Sequence, residues 1–562
     1  MLYDIFSTTM YVDSSTIRHG DKTYTRHLLR ESYREGKKVK HRTIANLSHC
    51  SPDEIVAIRL ALKHKKELSD LIQGTATTVH EEVKPKQGLA MGAVWLLADL
   101  ARQLGITAAL GNSTAGKLAL WQVIARVIDQ GSRLSAVRLA GYHAACDIIG
   151  LDQFNEDHLY ANLDWLSEQQ ASIEDRLFKR MSPRGGGLYL YDVTSSYFEG
   201  TENELAAFGY NRDKKRGKRQ IVIGLLCNEL GQPVSIEVFT GDTNDTKTVL
   251  PQIEKVKNRF GGGAVTLVGD RGMIKNPHIK EMNKEGLHYI TAITKPQIEK
   301  LLKVGVMQLE LFEDELAEIE TNDGVRYVLR RNPSRAAEIA QSRQDKLACL
   351  HQAVTTQNIY LKEHPKASDR VALRKITAKA NKLQLSGWVT PALDEQRVIS
   401  IQTDEDALTT AAKLDGCYAL KTDLPKEIAA KETIHRRYKD LALVEMAFRT
   451  SKTVELEVRP INVRLASRTR GHVFVVMLAY RIVQELAQRW RAIDLTVEEG
   501  IKELATLCTM EIEISGVGKV NQIPEPRASI KKLLDAAQVT LPATLPCKGI
   551  NVTTKKKLTD RR

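Results

Sequence analysis

The sequence contains little cysteine and no long apolar segment. Its seven cysteines are scattered over 562 residues with no CxxC pair, which argues against a zinc site or a disulfide framework. No run approaches the roughly 18 apolar residues that a membrane-spanning helix needs. The first residues, MLYDIFSTTM, lack the basic segment and apolar block of a secretory signal. We therefore expect a cytoplasmic protein with reduced thiols that does not associate with a membrane.

Basic residues are in excess. The chain has 82 Lys+Arg against 69 Asp+Glu, a formal net charge of +13. Hydrophobic residues make up 42% of the sequence, which is typical of a globular protein and excludes a disordered or collagen-like chain. At about 150 residues per domain, the length predicts three to four folded units. The positive excess predicts a polyanionic partner, most simply nucleic acid.

The first 180 residues divide into a basic segment and a helical segment. Residues 1–75 are predicted to form a basic β-hairpin, with strands Tyr24–Leu29 and Val39–Ala45 around Gly36, followed by a helix from Ser51 to about Asp70. Residues 88–182 show helical periodicity, and four or five helices are expected. Residues 117–128 and 135–149 fit a helix-turn-helix or an ordinary pair of bundle helices, which is the commoner structure.

Strand and helix patterns alternate from residue 183 onward. Residues 183–295 predict the order βββαβαβ, which is typical of a mixed α/β sheet. Residues 296–415 are predicted to be an inserted basic subdomain. Residues 416–490 resume the core with a strand, a helix from about Lys426 to Thr453 and an apolar helix. Residues 491–562 are predicted to be a C-terminal tail region.

Three acidic residues suggest chemistry. Asp192 follows the apolar strand LYLY, Asp270 follows the strand VTLVG, and Glu445 lies within a predicted helix. Carboxylates at the ends of neighbouring buried strands would repel one another unless a divalent cation bridged them. A third carboxylate on a nearby helix would complete a two-metal site of the kind that cleaves phosphodiesters. Oxygen ligands favour Mg²⁺ or Mn²⁺, so we predict two such ions at Asp192, Asp270 and Glu445.

Each acid also has an ordinary interpretation. An Asp that ends a strand is commonly a turn or N-cap residue. Glu445 would be an ordinary helical residue if it paired with Arg449 one turn away. Seven helical residues turn 700°, so Tyr438, Glu445 and Lys452 are predicted to share one stripe with two apolar residues between them. A carboxylate on such a stripe needs a partner, and the conjunction of the three acids favours the metal site.

A basic loop is predicted between the first two core strands. Residues 210–219 carry one acid, Asp213, and six basic residues, predicted to contact the DNA backbone or to form a solvated hairpin tip. The six are Arg212, Lys214, Lys215, Arg216, Lys218 and Arg219. Asp245 is predicted to cap the next helix. Trp388 in the insertion is expected to be a core residue rather than a base-stacking one. Ser195, Ser196 and Tyr197 lack the neighbouring Arg/His cluster that a serine or tyrosine recombinase would need.

Four segments resemble one family in the order in which the family has them. They are YDVTSSYFEG (191–200), FGYNRDKKRGKRQIVIGLLCNELGQPVSIEVFTGDTNDTKT (208–248), VGDRGMI (268–274) and YKDLALVEMAFRTSK (438–452). The chain resembles the insertion-sequence DDE transposases, which have an RNase H-like catalytic core and a long insertion before the last acid. The resemblance covers most of residues 20–490. In the family's third-acid signature, Tyr438, Glu445 and Lys452 match, while Leu441 stands where the family has Arg.

The resemblance implies a fold and a set of roles. It implies an RNase H-like mixed sheet with an inserted subdomain, preceded by the small hairpin and helix unit and an all-helical domain. It implies Asp192, Asp270 and Glu445 as the metal-binding triad and Tyr438 and Lys452 as DNA contacts near the reacting phosphates. Residues before about 180 would recognise inverted-repeat ends. For the missing signature Arg, the candidates are Arg436, Arg437 and Arg449, and Arg449 is counted among the DNA contacts.

The implied function is DNA transposition. The enzyme would cleave element ends with Mg²⁺ or Mn²⁺ and transfer the strands to target DNA. Its partners would be double-stranded DNA and a second copy of the chain, and it would act on the bacterial nucleoid. Two alternatives stay open: a nuclease of the same fold without strand transfer, and an inactive transposase-derived DNA-binding protein.

Overall fold

The computed structural model describes residues 9–19, 22–35, 38–65, 85–181, 187–260, 265–453, 455–514, 518–546, 548–549 and 552–554. The chain forms two compact units, one of residues 1–86 with 511–520 and one of residues 87–510 with 521–562. The predicted turn at Gly36 and the predicted helix end at Asp70 lie outside the described residues.

The smaller unit carries an antiparallel sheet in the order β1-β2-β3. Its strands are β1 (Thr9–His19), β2 (Lys22–Glu35) and β3 (Lys38–Asn46), so the predicted hairpin gains one strand before it. Helix α1 (Pro52–Lys63) begins after Ser51, as predicted. The Ser51 hydroxyl accepts a hydrogen bond from Glu54 N at 3.3 Å, and the Glu54 carboxylate accepts one from Ser51 N at 2.6 Å. This reciprocal pair satisfies two backbone donors at the helix start.

The larger unit opens with a helical segment. Strand β4 (Pro85–Ala90) precedes six helices: α2 (Gly92–Gln103), α3 (Ile106–Leu110), α4 (Thr114–Ile128), α5 (Arg133–Tyr142), α6 (Ala145–Ile149) and α7 (Glu156–Met181). Every residue of α4 from 118 to 127 is buried, and Tyr142 is the one fully exposed residue of α5. Residues 135–149, predicted as one helix, form two, α5 and α6, and α4 is buried over most of its length, as in a helical bundle.

The predicted βββαβαβ order is confirmed. Strands β5 (Leu188–Tyr197), β6 (Gln220–Asn228) and β7 (Pro233–Thr240) are antiparallel neighbours. Helix α8 (Asp245–Lys255) runs into a π-helical turn (Val256–Phe260), followed by β8 (Thr266–Gly269), α9 (Asn276–Lys284) and β9 (His288–Ala292). Strands β5, β8 and β9 pair in parallel. The burial of β6 on both faces matches its nearly continuous run of apolar residues.

The inserted subdomain begins later than predicted. After α10 (Lys295–Lys303) and a short 3₁₀ turn (Leu309–Leu311), strands β10 (Ala317–Glu320) and β11 (Arg326–Arg331) join the main sheet. The insertion then comprises α11 (Pro333–Glu363), α12 (Asp369–Lys382), β12 (Val389–Leu393), β13 (Ile399–Thr403) and α13 (Glu405–Ala412). These elements enclose their own apolar cluster, which includes the buried Trp388. Trp388 is therefore a core residue, as expected.

The chain returns to the sheet with β14 (Cys417–Thr422), and the eight strands lie in the order β10-β11-β14-β9-β8-β5-β6-β7. The predicted single helix of 426–453 is wrong, because α14 (Lys431–Lys439) and α15 (Leu441–Lys452) are separate helices that meet at Asp440. Helix α16 (Ala466–Arg489) packs against α4, α7 and β7. One apolar cluster consequently runs from the helical segment into the sheet.

The segment predicted as a C-terminal tail is folded over much of its length. It contains α17 (Val497–Ala505), β15 (Cys508–Ile514), β16 (Gly518–Gln522), α18 (Ala528–Ala536) and β17 (Thr544–Leu545). Leu504, Leu533 and Leu534 bury their side chains in the large apolar cluster. Residues 555–562, KKKLTDRR, lie outside the described residues. Among the helices that are described, none is both long and apolar enough to cross a membrane.

Candidate active site

The parallel register of β5 and β8 brings the first two acids to the same level of the sheet. Tyr191 pairs with Gly269, and Asp192 and Asp270 are the next residue on each chain. The prediction that Asp192 ends its strand is wrong: β5 continues to Tyr197, and Asp192 pairs with Leu225 of β6. Only the pairing between β5 and β8 ends next to Asp192, at the pair of Tyr191 and Gly269. Asp192 is thus held by strand backbone on one side and faces an open strand end on the other.

The third acid lies on a helix packed against β5. Leu190, Asp192 and Thr194 alternate onto one face of the strand, because side chains two residues apart share a face. Helix α15 packs on β5, and the Lys452 ammonium donates a hydrogen bond to Thr194 Oγ1 at 2.7 Å. Glu445 lies on this helix and is exposed. In the described part of the chain it forms no ion pair with Arg449.

The pKa of Asp192 is affected by the two other acids. Burial, together with the negative charges of Asp270 and Glu445, raises the pKa of Asp192 to about 7. A hydrogen bond from Val193 N, 2.8 Å long, and the positive charge of Arg212 oppose that rise. Three carboxylates that repel one another in one neighbourhood are stabilised when a cation joins them.

The three carboxylates have the chemistry of a hard-metal site. Carboxylate oxygens are the ligands that Mg²⁺ and Mn²⁺ prefer. Among the described residues, no group of three or more His, Cys, Asp or Glu side chains is placed so that it could hold a metal ion. The ligand type of the three acids suits a divalent cation, but the side chains of Asp270 and Glu445 are exposed and do not form a closed cage with Asp192.

Tyr438 is hydrogen-bonded to the second acid. Its hydroxyl donates to Asp270 Oδ1 at 3.1 Å, and burial together with the Asp270 charge raises the pKa of Tyr438. The Thr291 hydroxyl donates to the Asp270 backbone carbonyl at 3.3 Å. The positive charge of Arg271 also acts on Tyr438. Asp270 is therefore fixed by its turn and by Tyr438, with a guanidinium at its side.

A buried carboxylate ties the basic loop to the third-acid helix. The Asp213 side chain is 2% exposed and pairs with Lys452 at 3.0 Å and with Arg459. It also accepts a hydrogen bond from Tyr197 N at 3.0 Å. Sequence reasoning treated Asp213 only as the one acid in a basic loop and missed Arg459. The role of Asp213 could be inferred in part from the sequence, because a single acid within a run of basic residues suggests an ion pair.

The six basic residues of the loop have different surroundings. Arg212 is partly buried and pairs with Asp245 at 2.5 Å, while the other five are exposed. Lys218 pairs with Glu199 at 2.7 Å. The prediction that Asp245 caps α8 is wrong, because Asn244 is the N-cap residue and the Asp245 carboxylate binds Arg212 instead. Ser195 and Ser196 are fully buried, which leaves no accessible serine nucleophile beside Asp192.

Leu441, at the position of the family's signature Arg, is a core residue with 7% exposure. Arg436 and Arg449 are exposed, and Arg437 pairs with Glu229 at 3.4 Å. Arg271, which sequence reasoning passed over, is the guanidinium that follows directly after an acid of the site. Its position after Asp270 was visible in the sequence, but its proximity to Tyr438 was not.

Comparisons with known proteins agree with this architecture. A model of the N-terminal domain of IS1634 family transposases matches residues 12–75, and a model of the transposase DDE domain matches residues 183–482. A cryo-electron microscopy structure of the piggyBac transposase synaptic complex with hairpin DNA matches with a TM-score of 0.33 and 10% identity. That match covers 79% of this chain and 75% of the other. No curated protein matches the chain.

Proposed function

The chain belongs to the insertion-sequence DDE transposases, and from this premise we propose how this DNA transposase cuts and joins DNA. Asp192, Asp270 and Glu445 would hold two Mg²⁺ or Mn²⁺ ions, which would act on the phosphodiester that is cut. The observation that carries the proposal is the pairing of β5 with β8, which brings Asp192 and Asp270 to the same level of the sheet, with helix α15, which carries Glu445, packed against β5. The sheet is RNase H-like, a fold supported by the antiparallel β7-β6-β5 ribbon followed by parallel β8 and β9.

The bound ions supply activation of the attacking oxygen and stabilisation of the leaving oxygen. The residues of the chain then position the DNA. Tyr438 keeps Asp270 in one orientation through its hydrogen bond. Arg271 offers positive charge to phosphate oxygens beside the acids. We also assign Lys452 to this region, although its ammonium is paired with Asp213 and its side chain is only 11% exposed. The exposed cations from Lys214 to Arg219, together with Arg449, contact the backbone further along.

We assign recognition to the N-terminal part of the chain. Residues 12–75 match an N-terminal transposase domain, and strands β2 and β3 carry most of the basic residues there. This unit, with the helical segment to residue 182, would bind the inverted-repeat ends, and two copies of the chain would pair two ends. The enzyme would then act on the nucleoid in the cytoplasm.

Strand cleavage tests the triad. The substrate is donor DNA that carries the gene's own flanks, with Mg²⁺ or Mn²⁺ present. We expect wild type to cut at the element ends and Glu445→Gln to lose more than about 100-fold in rate, since removing groups that merely orient metal ligands already costs 10–100-fold. Glu432→Gln removes an exposed carboxylate from the neighbouring helix α14 and is expected to cut like wild type.

The same experiment separates the alternatives. Both variants should retain the donor DNA in a gel shift, which shows that they are folded. A plasmid target added to the reaction detects joining, and cleavage without joined product would indicate a nuclease. If wild type binds the donor and never cuts it with either metal, the chain is a DNA-binding derivative and the triad assignment fails.

A further inference from the structure

A basic cleft of about 650 Å³ lies beside the candidate active site within the larger unit. Its walls come from the ends of β9 and β14, from helices α10 and α14, and from the start of α11 in the insertion. The volume is in the range of pockets that enclose small ligands or short chain segments. A DNA duplex is wider than its major groove of about 12 Å, and a space of this volume does not hold one.

The lining of the cleft is strongly positive. It includes one carboxylate, Asp415, and five basic side chains: Arg271, Lys295, Arg330, Arg335 and Lys439. Asp415 is already paired with Arg343 at 2.6 Å, so it does not neutralise the cleft. Arg335 pairs with Glu338 at 2.6 Å, but both side chains are more than 60% exposed, and a phosphate can replace such a surface partner.

Apolar and aromatic groups complete the lining. Tyr418 and His435 stack with ring centroids 5.9 Å apart, and Ile293 and Leu414 line the same cleft. The Tyr418 hydroxyl and His435 Nε2 are 2.5 Å apart, which fixes both rings. Proteins bind single-stranded nucleic acid with cations that contact its phosphates and with aromatic and apolar side chains that contact its bases. The cleft offers both.

The cleft leads to the acids. Tyr438 lines it and donates to Asp270, and Arg271, which follows Asp270 in the chain, lines it as well. We propose that this cleft binds a single DNA strand that continues from the phosphate at the acids, with Lys295 and Arg335 contacting its phosphates. The inference rests on the proposed function for the location of that phosphate, but the binding itself requires neither a metal ion nor cleavage.

The test measures binding of a dye-labelled oligothymidine of about 15 nucleotides by fluorescence anisotropy, in EDTA and over a series of salt concentrations. The variant Lys295→Gln with Arg335→Gln removes two cations from the cleft and leaves the three acids intact. The matched control, Arg374→Gln with Lys375→Gln, removes two exposed cations from α12 outside the cleft. A duplex of equal length is measured with all three proteins.

We expect the cleft variant to bind the oligothymidine about tenfold more weakly than wild type. The slope of log K against log salt should fall by about 1.4, because each lost phosphate contact on a single strand contributes about 0.7. The control should change affinity less than twofold, and duplex binding should change little in either variant. Equal losses in the cleft variant and the control, an unchanged slope, or an equal loss for duplex would overturn the proposal. A wild type that never cleaves DNA would defeat the proposed function and leave this result standing.

Discussion

Asp213 neutralises two cations that would otherwise meet beside the acids. Its carboxylate is almost completely buried between Lys452 and Arg459. Burial lowers the pKa of Lys452, and the Asp213 charge raises it again, so the ammonium relies on this partner. The pair also joins the basic loop to the end of α15. Asp213 therefore sets the distance between the loop that we propose to contact DNA and the helix that carries Glu445.

We expect Asp213→Asn to lower the free energy of unfolding by about 3 kcal/mol, because removing one partner leaves buried positive charge uncompensated. Urea unfolding measures the change. Glu199→Gln is the matched control, since its pair with Lys218 is 41–44% exposed and should contribute less than about 1 kcal/mol. Equal losses in the two variants would show that Asp213 is not a special partner.

Leu441 is at the position of the family's signature Arg, yet it is packed in the core. Replacement by Arg would place a guanidinium at a position that is buried in the large apolar cluster. We expect Leu441→Arg to lower the free energy of unfolding by about 3 kcal/mol or more and to leave DNA cleavage no faster. Leu441→Met, which conserves volume, should cost less than about 1.5 kcal/mol. An Arg variant that melts like wild type and cleaves faster would mean that the helix can turn this position toward the DNA.

At the level of elements, the sequence predicted which strands form better than it predicted where each strand begins and ends. The order of the elements in residues 183–295 was predicted correctly, because strands such as β6 have a nearly continuous apolar pattern. The break between α14 and α15 was not predicted, because Asp440 carries no proline or glycine signal. Strands β10 and β11 were assigned to the insertion, because the chain returns to the sheet at β14 only after a long detour. Sheet membership depends on pairing across that distance, which a local pattern does not contain.

The junction of insertion and sheet depends on one glycine. Gly416 has φ +74°, and a Cβ there would lie 2.3 Å from the Asn332 carbonyl oxygen. Asn332 N donates to the Gly416 carbonyl at 2.9 Å, so the two ends of the insertion are bonded together. The left-handed conformation and the short approach both require a residue without a side chain.

We expect Gly416→Ala to lower the thermal midpoint by several degrees, since strain and a backbone collision add to a loss of about 3 kcal/mol. Gly324→Ala tests strain alone, because Gly324 has φ +76° with nothing within 4 Å of the added Cβ. That control should cost about 1–2 kcal/mol. If the two variants melt at the same temperature, the contact with Asn332 is unimportant.

On the scale of the whole molecule, one apolar cluster includes both the helical segment and the sheet. The sequence predicted a separate helical domain, because the pattern of each helix shows which face is apolar and not what covers it. Helix α16, some 300 residues later in the chain, covers the faces of α4 and α7. The candidate acids were proposed from two local signals, strand ends and a helical stripe. The strand-end signal holds for Asp270 but not for Asp192, and the helix break at Asp440 separates Tyr438 from the stripe of Glu445. Asp213, Arg271 and the basic cleft required the assembled fold.

Two buried histidines make the free energy of unfolding depend on pH. Burial lowers the pKa of His143 from 6.5 to about 4, and burial with the charges of Arg126 and Arg133 lowers the pKa of His472. Below pH 6.5 the unfolded chain therefore binds more protons than the folded one, and stability falls as the pH falls toward 4. For His143 alone, the loss between pH 8 and pH 5 is about 2 kcal/mol.

We expect His143→Phe to remove about 2 kcal/mol of the difference in unfolding free energy between pH 8 and pH 5. Urea unfolding at the two values measures that difference. His351→Gln, at an exposed position on α11, is the control and should leave it unchanged. A His143 variant that keeps the full wild-type difference would assign the pH dependence to other groups.

The long segment between β11 and β14 also determines how late the third acid is made during synthesis of the chain. Glu445 follows Asp270 by 175 residues, and β14 must enter between two strands made long before it. At the usual 5–20 residues per second, a ribosome needs roughly 10–35 s to pass from the second acid to the third. During that interval the nascent chain carries the basic strands of its N-terminal part and two of the three acids, but not Glu445. If the triad acts as we propose, a chain that stalls or terminates in this interval would not cleave DNA.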